Sequence, residues 1–213
     1  MIARRSFLLL VTLLTLSWGG LAAADQDEAT ALVKRTSERM LSALQARRAE
    51  VDRNPALIYG MIDSILLPHF DFQRITQGAL GQYWRQATPA QQKDLVNGFQ
   101  QVLIRTYARS LLSYSGQEIR YLPLKPGSRS GTVTVSTEVR GSGASPIPVD
   151  YRMYNSGDGW KVFDVVINNA SLVGNYRSSF ATEIRQSGID GLIGKLAEMN
   201  RKGQADLTAK SQG

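Results

Sequence analysis

His69 and Asp71, in the run Pro68-His69-Phe70-Asp71, are the residue types of a general base oriented by a carboxylate. The run falls at a break between two helical patterns, where an aspartate is equally placed to cap the next helix. The plainer reading, a loop histidine beside a capping aspartate, is the one adopted. His69 is the only histidine and the chain has 0 cysteines, which removes multi-histidine metal sites, thiolate nucleophiles, zinc clusters, iron–sulfur centres and disulfides together. Asp63, Asp71 and Asp164 do not form a metal-ligand run. No G-x-S-x-G nucleophile elbow is present, no Gly-rich phosphate loop follows a strand, and Gly157-Asp158-Gly159 reads as a turn. The expectation is a protein with no catalytic residues, no metal site and no cofactor.

The 213 residues suit one domain, and 43% hydrophobic with 20% charged residues is a composition that folds. Arg4-Arg5, the apolar run Phe7 to Trp18 and Ala22-Ala23-Ala24 have the three parts of an export leader. The apolar run is too short to cross a ~30 Å hydrocarbon core, and Gly19-Gly20 interrupts it. Residues 1–24 are therefore expected to be a signal peptide cleaved near Ala24, leaving an exported, periplasmic, soluble protein from Asp25. That mature form has 189 residues and a charge of +5. Lys and Arg are scattered among acids rather than gathered, so nucleic acid is not an expected partner.

The elements that would position any site follow from periodicity. Residues 28–50 read as one helix, Pro55 to Ile65 as a second that stops before Pro68, and Phe72 to Leu80 as a third, capped by Asp71 and ended by Gly81. Thr88-Pro89-Ala90-Gln91 is a capping box that opens what reads as the longest helix, with Leu95, Phe99, Val102, Leu103, Tyr107, Leu111 and Tyr114 as its apolar stripe. At Gly116 the period changes from helical to alternating. Four strands follow, around Ile119–Leu122, Val133–Val139, Val149–Met153 and Trp160–Ile167. A closing helix from Leu172 to Ile184 is separated by Gly188 from a last one, and a polar tail over 201–213 reads as loose. The order predicts one α+β domain over 25–200, with a four-stranded or slightly larger twisted antiparallel sheet and helices on one side of it. A sheet face of Val, Tyr and Met then opposes a helix face of Phe, Leu and Tyr.

Several separated blocks carry a resemblance: Leu66-Leu67-Pro68-His69-Phe70-Asp71-Phe72, Leu80-Gly81-Gln82-Tyr83-Trp84-Arg85-Gln86-Ala87-Thr88-Pro89-Ala90-Gln91, Trp160-Lys161-Val162-Phe163-Asp164-Val165, Ser171-Leu172-Val173, Tyr176-Arg177 and Gly188-Ile189-Asp190-Gly191-Leu192. In this order and spacing the chain, over about residues 28–200, resembles the MlaC family of periplasmic phospholipid-binding proteins, also called the toluene-tolerance auxiliary family. It departs at Asn168-Asn169-Ala170, where the family often has Glu-Gly-Val.

The resemblance implies a lipid carrier with a sheet and helices enclosing an apolar cavity and phospholipid as its ligand. It also implies two partners: an inner-membrane Mla complex, a substrate-binding ring with permease and ATPase, and an outer-membrane lipoprotein. The expected lipid-contacting residues are Phe99, Val102, Leu103 and Tyr107 on the long helix, and Val133, Val135, Val149, Tyr151, Met153, Val165 and Ile167 on the sheet. Ala170, Leu172 and Val173 are expected near the mouth. The competing reading is a small periplasmic lipid-acting hydrolase or isomerase on a similar scaffold, with His69 as its base.

Overall fold

Gly116, at φ 96°, marks the point at which helix gives way to sheet. The computed structural model describes residues 19–141 and 145–210, so the Arg4-Arg5 and Phe7–Trp18 parts of the expected leader lie outside the described residues. Helix α1 (Gly19–Ala46) leads into α2 (Arg48–Arg53) and α3 (Leu57–Met61). The single helix expected over 28–50 is two, because Arg47 leaves the helical region at φ −114°, ψ 20°; the turn lets Val51 join Met40, Leu44 and Ile58 in one core cluster. After α3 the chain widens to a π turn over Ile62–Leu66 and tightens to a 3₁₀ turn over Leu67–His69. Pro68 therefore sits inside helical backbone rather than beyond it, at a first-turn position where no amide donor is required.

Helix α4 (Phe72–Leu80) starts as expected: Asp71 Oδ1 accepts from the Arg74 amide at 2.8 Å. It ends at Gly81, whose φ of 57° lies in the region glycine tolerates. A 3₁₀ turn over Gly81–Gln86 then leads to α5 (Pro89–Leu112). Its capping box is formed in both directions, with Thr88 Oγ1 accepting from the Gln91 amide and Gln91 Oε1 from the Thr88 amide. At 24 residues α5 is not the longest helix; α1 has 28, and α6 (Leu172–Lys210) has 39 across a break at Gly188. Where the composition predicts loose chain from Arg201, the backbone stays helical through Lys210, with Lys202 paired to Glu198 one turn back.

The sheet has six strands: β1 (Glu118–Tyr121), β2 (Lys125–Pro126), β3 (Thr132–Arg140), β4 (Ile147–Asn155), β5 (Trp160–Ile167) and β6 (Ala170–Ser171). The four expected strands are present, and two short ones extend them. All ladders are antiparallel, in the order β1-β3-β4-β5-β6, with β2 also on β3. The free edge of β5 is covered twice: β6 pairs with Val166 and Ile167, and Phe70 bridges Val162 while the Asp71 amide donates to the Val162 carbonyl at 2.9 Å.

Helices reach both faces, not one. On one face α1 lays Ala29 and Val33 against Val133, Val135, Met153, Trp160 and Val162. On the other, Arg74 of α4 lies over the rings of Tyr154 and Phe163. A second core joins α4, α5 and α6, where Phe99 meets Tyr176 and Phe180 edge-on at 4.7 and 4.9 Å. Phe70 packs against both this helical core and the sheet core, and so joins the two halves.

Candidate ligand-binding site

Directly opposed residues of an antiparallel ladder share a face. Val133 opposes Met153, Val135 opposes Tyr151, and Tyr151 opposes Val165; Val149 lies between Thr137 and Ile167. All seven sheet residues expected to contact lipid therefore lie on one face, the one that α1 crosses. A bulge between Arg152 and Met153 brings Val162 onto the same face as well: Phe163 is the additional residue, and without it Val162 and Val165 would fall on opposite faces.

That face is not closed along its whole length. Val133, Val135 and Met153 are buried under α1, whereas Val149, Tyr151, Val165 and Ile167 each keep accessible surface. These four form a contiguous patch, two residues on β4 facing two on β5. Tyr151 is the informative one. Burial pushes its hydroxyl up to about 12, opposed in part by a hydrogen bond with Thr137, yet the residue as a whole is only partly buried. Its ring packs against the sheet core beneath α1 and keeps part of its surface accessible at the edge of that core. Nearby, Tyr121 is also raised by burial and holds a hydrogen bond with Ser37 of α1.

The long helix does not supply the opposite wall. Phe99, Val102 and Leu103 are buried in the α4–α5–α6 core, with Tyr107 partly buried against it. That stripe faces α6, the helix α5 packs against most extensively. The expected pairing of the α5 stripe with the β4 face is corrected: a helical face this apolar is satisfied equally well by another helix, and periodicity names the face but not its partner. Of the expected mouth residues, Ala170 is exposed on β6, Leu172 is partly buried at the start of α6, and Val173 faces the other side of the sheet.

On that other side lies a groove of about 1010 Å³. Arg74, Arg129, Arg152 and Arg177 line it with Asp71, Asp164, Tyr154 and Phe163. Both carboxylates are engaged. Asp71 caps α4 and accepts from the Tyr154 hydroxyl, which raises the Tyr154 pKa. Asp164, 4% exposed, accepts from Arg152 at 2.9 Å, from Ser171 Oγ at 2.6 Å and from the Val173 amide at 3.1 Å. The four arginines and Tyr154 of this groove were missed from sequence, although the alternation that turns Val149, Tyr151 and Met153 one way turns Arg152 and Tyr154 the other. His69 has no hydrogen bond with Asp71; burial lowers its pKa, with Lys161, Arg35 and Arg39 adding to the effect. Among the described residues no cluster of three metal-ligating side chains occurs, and no helix is long and apolar enough to cross a membrane.

An antiparallel sheet flanked by helices on both faces, with an open apolar patch on one side and a guanidinium-lined groove on the other, defines an α+β ligand-binding scaffold. Residues 34–198 match the model of the family described as MlaC protein, and the chain belongs to that family. It is 30% identical over 176 residues to toluene tolerance protein ttg2D of Pseudomonas putida, covering 78% of this chain and 80% of that one. It is 22% identical over 170 residues to the intermembrane phospholipid transport system binding protein MlaC of Haemophilus influenzae, covering 78% and 79%. The solved structure of a phospholipid-binding protein from Ralstonia solanacearum in complex with a phospholipid superimposes with a TM-score of 0.76 at 34% identity, covering 83% of this chain and 98% of that one.

Proposed function

We propose that this chain is a phospholipid carrier of the periplasm, which moves lipid between the outer-membrane lipoprotein and the inner-membrane substrate-binding ring, permease and ATPase of an ABC transport system that maintains outer-membrane asymmetry. The observation that carries the reading is the open patch of Val149, Tyr151, Val165 and Ile167 on the apolar sheet face. Two acyl chains of ~14–16 carbons expose roughly 28 methylenes, and at ~0.8 kcal/mol each their exposure in water costs on the order of 20 kcal/mol. Only an apolar wall shielded from water offsets a penalty of that size, and in this reading the β4–β5 patch supplies part of it. Ala170 and Leu172, at the end of β5's return, stand where the headgroup would leave it. Membership of the family, and the phospholipid held by the Ralstonia relative, support the same ligand. The leader-like Arg4-Arg5, apolar run and Ala22-Ala23-Ala24 support export, with cleavage near Ala24.

The base–carboxylate pair the sequence offered is not assembled at the patch: His69 lies in the 3₁₀ turn that precedes α4, and Asp71 is committed to Tyr154 and the helix cap. Binding without turnover is the chemistry proposed, on the strength of the family and of the phospholipid held by the Ralstonia relative. Organic-solvent extraction of the purified protein followed by mass spectrometry tests it. Intact phospholipid is the expected result; lysolipid or free fatty acid would replace the carrier with an enzyme, and an empty extract would remove the ligand altogether.

A further inference from the structure

The groove opposite the apolar patch has charge the carrier reading does not use. Four guanidinium groups, from α4, the β2–β3 turn, β4 and α6, line a single groove that contains only two carboxylates. Each arginine is placed differently. Arg152 is paired with Asp164. Arg74 is stacked 3.9 Å above the Tyr154 ring, a contact that orients its guanidinium without neutralising it. Arg177 donates Nε to the Gly78 carbonyl at 2.8 Å, which leaves its two terminal nitrogens without a partner among the described residues. Arg129 is exposed and makes no ion pair among the described residues.

Two helix starts border the same groove, but the amides of Arg74, Val173 and Gly174 already donate to Asp71, Asp164 and Ser171 Oγ, so the arginine side chains are what an anion would meet. Gly78 sets the spacing. A Cβ there would come within 2.8 Å of Val173 Cγ1, so glycine lets α4 and α6 approach closely enough to put Arg74 and Arg177 on one wall. Four guanidinium groups against two carboxylates leave the groove net positive, which favours an anion there, and planar forks held by an aromatic ring and a carbonyl are preset for an oxyanion.

We propose that this groove is a phosphate-binding site, with Arg129 and Arg177 supplying the free forks and Arg74 the fixed one. The shared chemistry is a phosphate group, either the phosphodiester of a lipid headgroup or a free phosphate. The inference goes beyond the carrier reading and does not depend on it, because the groove lies on the opposite sheet face from the acyl-chain patch.

The test uses delipidated full mature chain in low-salt buffer, with calorimetric titration of three soluble probes: inorganic phosphate, dibutyryl-phosphatidylglycerol, and glycerol as the uncharged control. Wild type should bind at least one phosphate probe and not glycerol. Arg129→Gln combined with Arg177→Gln should weaken that binding at least tenfold, whereas Arg85→Gln, an exposed charge outside the groove, should leave it within twofold. Tighter binding of the phosphodiester assigns the site to a headgroup; tighter binding of inorganic phosphate assigns it to a free anion. Arg129→Gln alone sits on an exposed turn and keeps the test open if the double variant does not fold; at least a threefold loss is expected. No phosphate binding by wild type, or an equal loss with Arg85→Gln, overturns the proposal. Co-purifying lipid per molecule, measured on the double variant, is expected to stay unchanged. Its loss would bear on the carrier reading, while loss of probe binding alone bears on the groove.

Discussion

His69 is the residue whose type most invites a catalytic role, and its surroundings argue against one. Burial and three nearby cations hold its pKa below the ordinary ~6.5, so it is neutral in the folded protein at neutral pH. Its ordinary partner in a base–carboxylate pair, Asp71, is already committed to the Arg74 amide and the Tyr154 hydroxyl. His69→Ala should therefore leave co-purifying lipid unchanged. The same lowered pKa fixes a sign. As pH falls below about 6.5 the unfolded chain takes up a proton at this site before the folded one does, so stability declines on acidification, and that part of the decline should vanish in His69→Ala. Melting curves from pH 7 to pH 5 on both proteins measure it, and identical slopes would show the environment assigned to His69 to be wrong. Tyr151 runs the opposite way. Its hydroxyl titrates near 12 when folded, against ~10 when unfolded, so its contribution is intact below pH 10 and is lost as pH rises from about 10 towards 12. Tyr151→Phe should melt with a smaller drop between pH 9 and pH 11 than wild type; an equal drop would place the alkaline sensitivity elsewhere.

Elements meet here through contacts that single side chains decide. Val149 opposes Thr137 and Ile167 on the β4 face and is not fully covered. In a filled core, a bulky replacement costs roughly 1–3 kcal/mol. At a cavity wall the added ring instead takes the space of acyl tails. Val149→Trp should thus leave the melting temperature of delipidated protein nearly unchanged while phospholipid per molecule falls; a much lower melting point with normal lipid would make Val149 a core residue. The α4–α6 contact behaves differently, because it is tight. Gly78→Ala brings its Cβ against Val173, a β-branched side chain with little rotamer freedom, and should cost about 1 kcal/mol or more even after the helix-propensity gain of alanine. Adding Val173→Ala should recover part of that loss in chemical denaturation. No recovery would mean that the clash lies elsewhere.

For the whole molecule, the division of labour lies between apolar burial and charge. The chain's formal charge of +7 acts through screened, long-range fields, whereas acyl tails in a carrier would be held by exclusion from water. Retained phospholipid should be constant from low to high salt, while association with an inner-membrane partner weakens. Salt that strips lipid from the protein would make the headgroup the main anchor and reverse this account. The two sheet faces give the separation a structural basis: apolar residues under α1 on one side, four arginines in a groove on the other.

Local chemistry made much of this legible in the residues alone. The Asp71 cap, the Thr88–Gln91 capping box, the Gly81 and Gly188 breaks and all four main strands were readable because each depends on neighbours a few positions away. The same alternation placed Val149, Tyr151 and Met153 on one face, and the ladder added Val133, Val135, Val165 and Ile167 to it. What only tertiary structure decided was pairing across distance. Periodicity identified the Phe99–Val102–Leu103 stripe but could not say that α6, rather than the sheet, covers it, since both offer apolar surface of similar worth. Nor could it bring Arg74, Arg129, Arg152 and Arg177 into one groove. They come from four separate elements, and their proximity rests on the close α4–α6 approach and the Arg152–Asp164 pair across β4 and β5, which no local pattern encodes.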